Sequence, residues 1–175
     1  MRARYPDQEG FVEREGVRIF YEVFGTGEPT VLLLPTWSIL HSRLWKAQVP
    51  YLARHCRVIT FDGRGNGRSS RPTSADAYSD REFAADALAV MDATATGQAV
   101  LVSLSRGACW ALLLAAEHPE RVAGAVFTSP TLPVLATWDV RSQKMLSEQL
   151  LHIAVFYNTR QAFASLLNTR QFYEV

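Results

Sequence analysis

The strongest chemical signature in this chain is Ser103-Leu104-Ser105-Arg106-Gly107, set between the apolar run 99–102 and the apolar stretch 108–114. A β-branched run that meets a serine between two small residues and continues as helix is the layout of a nucleophile elbow. That sharp strand-to-helix turn lifts a serine hydroxyl to the top of a parallel sheet. The turn needs small residues two before and two after the serine, because backbones cross there at close range. Ser103 and Gly107 meet that demand, with Ser103 standing where Gly is usual. At the head of the following helix, Ser105 lies where unpaired backbone N–H groups and the positive dipole end favour an oxyanion. The chemistry indicated is acyl-type hydrolysis with Ser105 as nucleophile. A serine acting only as a helix N-cap would leave the small flanking residues unexplained.

The elements that must position Ser105 are legible on either side of it. Gly10 to Arg14 and Val17 to Phe24 read as two antiparallel strands joined at Glu15-Gly16. In the second, Val17, Ile19, Tyr21 and Val23 alternate with polar residues, the period-2 pattern of a half-buried edge strand. Four short unbroken apolar runs follow, at 31–34, 58–61, 99–102 and 122–127. Strands apolar on both faces suit a parallel sheet covered by helices. The helices between them are expected over Ser42 to Arg54, Asp80 to Ala95 and Arg106 to His118. The second opens with the capping box Ser79-Asp80-Arg81-Glu82 and buries Phe83, Ala84, Ala87, Leu88 and Met91. The third is apolar nearly all round and stopped by Pro119, so it should be central and buried. This alternation means right-handed βαβ units in an α/β fold, a mostly parallel sheet with helices on both faces. After Pro130, helical spacing covers Arg141 to Tyr157 and Gln161 to Phe172, with no further strand expected.

Composition narrows the function classes. The 175 residues are 48% hydrophobic and 20% charged, with a formal net charge of +1. That balance carries no signature for nucleic acid or an anionic membrane, so neither partner is expected. The start of the chain is too polar for a signal peptide and no run is long enough to span a bilayer, which makes cytoplasmic the default. Cys56 and Cys109 are expected as reduced, packed thiols. His41, His55, His118 and His152 are too scattered for a metal site, and no spacing calls for a cofactor. The glycine-rich loop Asp62-Gly63-Arg64-Gly65-Asn66-Gly67-Arg68-Ser69 fails both phosphate-cradle templates: Asp62 stands where a Walker loop needs Gly, and no Gly follows Gly65 or Gly67 by three. Its glycines permit a tightly coiled loop in which Asp62 and Ser69 bond the backbone.

Taken together, Leu33-Leu34-Pro35-Thr36-Trp37 after the third strand, the Asp62 to Ser69 loop after the fourth and Ser103 to Gly107 after the fifth resemble the α/β-hydrolase fold superfamily. The likeness runs from about Gly16 to Pro130. It implies a hydrolase core over 1–130 and, over 131–175, a helical segment that starts a cap domain. By resemblance, Ser105 is the nucleophile, and the backbone N–H groups of Arg106 and Trp37 are the oxyanion donors. Pro35-Thr36 stands where the family usually has His-Gly, so the loop aiming the Trp37 donor is altered. The family's acid follows the sixth or seventh strand and its histidine the eighth. No seventh or eighth strand is expected here, and the triad acid and histidine are absent at the matching places. The resemblance thus implies the N-terminal part of a serine hydrolase acting on a small ester-type substrate, with an inactive or truncated ligand-binding module as the alternative. A bare sheet flank beyond the sixth strand would call for a second copy or a partner chain to cover it.

Overall fold

A computed structural model describes residues 4–37 and 39–129, together with the backbone of 153–156. It contains a seven-stranded sheet of order β1-β2-β4-β3-β5-β6-β7. The strands are β1 (Gln8–Arg14), β2 (Val17–Phe24), β3 (Thr30–Leu33), β4 (Arg57–Phe61), β5 (Ala99–Leu104), β6 (Val122–Thr128) and β7 (Ile153–Phe156). The two pairings made by β2 are antiparallel, and every pairing from β4 across to β7 is parallel. The helices are α1 (Val49–Leu52), α2 (Asp80–Ala93) and α3 (Gly107–Glu117), with short 3-10 turns at Ser42–Trp45, Ala75–Tyr78 and Pro119–Arg121. The expected α/β architecture is present.

Period-2 alternation in fully apolar strands supplies two cores from one sheet. Leu32, Leu34, Ile59, Leu101, Ala125 and Phe127 face one way and pack with Ala87, Val90 and Met91 of α2 and Ala108, Ala111 and Leu114 of α3. Val31, Leu33, Val58, Val102 and Val126 face the other way, onto Trp45, Val49 and Leu52. Each valine, leucine, isoleucine, phenylalanine or methionine among them contributes about 1.5–3 kcal/mol by its removal from water. α3 is buried on nearly every side, as its composition predicts. Four of the five residues expected on the buried stripe of α2 are buried, Leu88 being partly so. Ser79 caps α2 by accepting the Glu82 N–H at 3.4 Å.

Two expectations fail for identifiable reasons. The helix expected over Ser42 to Arg54 is divided into the 3-10 turn and α1. Pro50 lacks the N–H that would continue a helix from the preceding turn, and it sits in the first turn of α1, where no such bond is required. The second failure is β7. Residues 153–156 were expected inside a helix, with no strand after the sixth; instead they pair in parallel with Ala125–Thr128 of β6. Ile-Ala-Val-Phe is strand-forming in composition, and the open hydrogen-bonding edge of β6 overrides helical spacing. β7 therefore covers part of the flank expected to be bare. The rest of the segment 131–175, including the expected helices, lies outside the described residues. No helix among the described residues is long and apolar enough to cross a membrane.

The glycine-rich loop between β4 and α2 is built around buried polar groups. Asp62 accepts the Ser42 N–H at 2.8 Å and the Arg68 N–H at 2.9 Å. Ser69 donates to the Asp62 carbonyl at 2.6 Å and accepts the Phe20 N–H at 2.9 Å. Gly67 has φ +49°, and a Cβ there would lie 2.0 Å from the Asp62 carboxylate, so no side chain fits. Arg64, 1% exposed, makes a fork of two 2.7 Å bonds to the fully buried Asp86 of α2 and a third bond to the Ala77 carbonyl. Arg14 of β1 reaches Asp86 and Glu82 from the other side.

Two outcomes follow from this network. Asp86→Ala removes the forked partner of the buried Arg64 guanidinium and leaves it only the Glu82 carboxylate at 2.9 Å, so denaturant unfolding should show a loss near the lower end of about 3–5 kcal/mol. A loss below 1 kcal/mol would contradict that account. The hydrogen bond from Arg14 holds the Glu82 carboxyl below its ordinary value of 4.5. A carboxyl whose folded pKa lies below its unfolded one adds stability above the unfolded value and loses it as pH falls through the folded value. Glu82→Gln should therefore flatten the acid side of the stability–pH curve below pH 4.5, leaving the neutral side parallel to wild type.

Candidate active site

β5 ends at Leu104, and the Ser105 N–H donates to the Thr128 carbonyl at 3.1 Å, extending the pairing with β6 by one step. The chain then reverses. Ser105 has φ +52°, one of four non-glycine residues with positive φ among the described residues. For an L-residue that left-handed conformation costs roughly 1–2 kcal/mol. Arg106 is back at φ −60° and caps α3, and the Ala108 N–H closes the turn on the Ser105 carbonyl at 3.1 Å. A strained serine between a parallel strand and a helix is the local geometry that the sequence predicts.

Gly107 is required by contact. A Cβ built there would stand 2.5 Å from the Pro35 carbonyl oxygen, which crosses over the first turn of α3. The loop after β3 is tied down on both sides of that crossing: the Leu34 N–H donates to Val102 at 2.9 Å, and the Thr36 hydroxyl donates to the Leu104 carbonyl at 2.6 Å. Thr36 is buried and is not among the positive-φ residues, so its position asks for none of glycine's freedom. Threonine instead supplies a hydroxyl that fastens the Trp37 loop to the strand end carrying Ser105. Among the described residues, no backbone carbonyl accepts the N–H of Trp37 or of Arg106.

Trp37, 59% exposed, and Arg106 border one cavity of about 450 Å³, together with Tyr78, Asp80, Phe83 and Trp110. The sequence places Ser105, Trp37 and Arg106 at one site; Trp37 and Arg106 line this cavity, while Ser105 adjoins it through its chain neighbour Arg106 and is not itself among the lining residues. Trp110 and Trp45 are buried. The carboxylate of Asp80 takes the Arg106 guanidinium through Nε at 3.2 Å and Nη2 at 2.9 and 3.0 Å, and the Trp110 indole N–H at 2.8 Å. The one cue to Asp80 in the sequence was its place just after the helix cap Ser79; nothing in the spacing linked it to residues 26 and 30 positions away.

The described histidines are engaged elsewhere. His41 caps the 3-10 turn Ser42–Trp45 by accepting the Arg43 N–H at 3.2 Å. His55 packs edge-on against Tyr51, and His118 closes α3 through its N–H to Leu114 at 2.8 Å. His152 lies outside the described residues. Cys56 and Cys109 are buried and not joined in a disulfide, and burial pushes both thiols up from the ordinary range. Ser129, where some α/β-hydrolases place an acid, follows β6 with φ +44°.

Comparison with known proteins agrees with this geometry. The family model described as alpha/beta hydrolase fold matches residues 29–172. The 3-oxoadipate enol-lactonase 2 of Acinetobacter baylyi is 26% identical over 83% of this chain and 55% of its own length. Epoxide hydrolase B of Mycobacterium tuberculosis is 40% identical over 47% of this chain and 23% of its own length. The crystal structure of epoxide hydrolase VrEH1 from Vigna radiata shares 28% identity at a TM-score of 0.64, covering 70% of this chain and 38% of that one. The chain thus spans 23% to 55% of the length of these relatives. With the matched region holding the strained serine turn, the crossing loop and the parallel sheet beneath them, the chain belongs to the alpha/beta hydrolase fold family.

Proposed function

We propose that this chain carries the nucleophile and oxyanion half of a serine hydrolase acting on a small ester-type substrate. The observation that carries the reading is Ser105 at φ +52° between β5 and α3, with Gly107 against the Pro35 carbonyl. Ser105 Oγ attacks the substrate carbonyl carbon, and the C=O electron pair moves onto oxygen. The N–H groups of Trp37 and Arg106 receive that oxyanion, and each such donor contributes about 2.7–4 kcal/mol to a transition state of this kind. The Ser105 proton passes to a histidine held by an acid, both taken from outside the described residues. That histidine returns the proton to the leaving alkoxide, and water then releases the acid from the acyl-serine by the same steps in reverse.

The serine also argues for which relatives are informative. Attack of a serine hydroxyl on an epoxide would leave an ether, which has no carbonyl for water to attack. A carboxylate nucleophile gives an ester instead, so the epoxide hydrolases share the scaffold and not this reaction. A lactone is a cyclic ester, and the enol-lactonase relative supports acyl chemistry at Ser105. The competing reading is ligand binding without turnover, and it is favoured by the absence of histidine from the cavity lining among the described residues.

Labelling separates the two. A fluorophosphonate probe should form a covalent adduct with the intact protein at Ser105, located by peptide mass spectrometry, and Ser105→Ala should abolish it. No adduct under conditions where a control esterase reacts would decide for binding alone. Gly107→Ala forces a methyl group against the Pro35 carbonyl, so labelling should slow at least tenfold and stability fall by about 1–3 kcal/mol. Unchanged labelling in that variant would show that the crossing does not set the position of Ser105.

A further inference from the structure

We propose that the cavity walled by Arg106, the residue after Ser105 in the chain, receives an uncharged aromatic group of the substrate, and that the Asp80–Arg106 pair on its wall turns anions away. This rests on the reading of Ser105 as the reacting residue and names the substrate class for that site.

The shape and chemistry of the wall carry the argument. Phe83 and Trp110 lie stacked, with ring centroids 4.1 Å apart and planes 6° from parallel, and Tyr78 leans on Phe83 at 6.4 Å. Trp37 adds a fourth aromatic side chain, and unlike the stacked pair it is largely open to contact. Aromatic rings favour another ring in stacked or edge-on contact, beyond what the same area of aliphatic surface would give. A volume of about 450 Å³ suits a compact ring-bearing ligand.

The polar side chains on this wall are already matched to one another or to the backbone. The Tyr78 hydroxyl donates to the Pro72 carbonyl at 2.8 Å. The Trp110 indole N–H and the Arg106 fork both end on Asp80. Arg106 stands next to Ser105 in the chain, and an unpaired guanidinium there would attract carboxylates. Paired with Asp80 it presents no net charge, so an anion entering the cavity gives up hydration without a compensating counter-ion. A neutral ring meets no such cost.

Equilibrium binding tests this without relying on turnover. Methyl benzoate, benzoate and methyl cyclohexanecarboxylate are titrated calorimetrically into the intact Ser105→Ala protein, where ester cleavage by that residue is removed. Methyl benzoate should bind at least tenfold more tightly than benzoate and several-fold more tightly than the saturated ester. Asp80→Asn keeps an acceptor for Trp110 and removes the negative charge, so the preference should move at least tenfold toward benzoate. Arg106→Gln leaves Asp80 uncompensated and should move it the other way, which gives a second reading if Asp80→Asn fails to fold. Benzoate binding as tightly as its methyl ester, equal binding of the two neutral esters, charge variants that leave the ratio unmoved, or no binding of any probe would each overturn the proposal. Ring preference without fluorophosphonate labelling would instead reject the reading of Ser105 and leave the binding site standing.

Discussion

The arrangement of this molecule depends on one close approach, the passage of the Pro35 carbonyl over the first turn of α3 at Gly107. It requires β3 and β5 to be neighbours, which the parallel register Val31–Val100 to Leu33–Val102 provides. The chain can leave β5 beneath that carbonyl only by turning sharply, and the left-handed Ser105 is that turn. The strain is held in place by the two apolar cores on either face of the sheet, and by the Thr36 hydroxyl bonded to Leu104. Local discomfort at one residue is sustained by many unstrained contacts around it.

Charge plays the corresponding part beneath the glycine-rich loop. A loop with little side-chain bulk has few apolar contacts of its own, and here buried ion pairs and backbone bonds hold it. Arg64 fixes it to α2 through Asp86, while Asp62 fixes it to the segment at Ser42. Such pairs add little net stability over a well-packed apolar equivalent, but they accept only one geometry. The same device recurs at the cavity, where Asp80 at the start of α2 grips Arg106 and Trp110 at the start of α3. Both helices thereby present their N-terminal ends beside the residues argued to do the chemistry.

What could be read in the sequence was whatever local pattern controls. Ser105 and its small neighbours declare a turn, doubly apolar strands declare a covered parallel sheet, and Ser79 declares the start of α2. What could not be read was decided by partners far along the chain. The division of the helix expected over Ser42 to Arg54 turned on Pro50. β7 formed because the edge of β6 was available, and no residue within 153–156 states that. The pairs Arg64–Asp86 and Arg106–Asp80 join residues 22 and 26 apart with no shared period, so only the folded chain discloses them.

The loop from Asp62 to Ser69 draws its hydrogen bonds from β2 through Phe20, from the 3-10 turn through Ser42 and from α2 through Asp86. Each of these bonds needs its partner segment already docked on the sheet. The loop is therefore among the last parts of the chain to order as it folds, and its contacts act mainly as a brake on unfolding rather than as a guide to the folding nucleus.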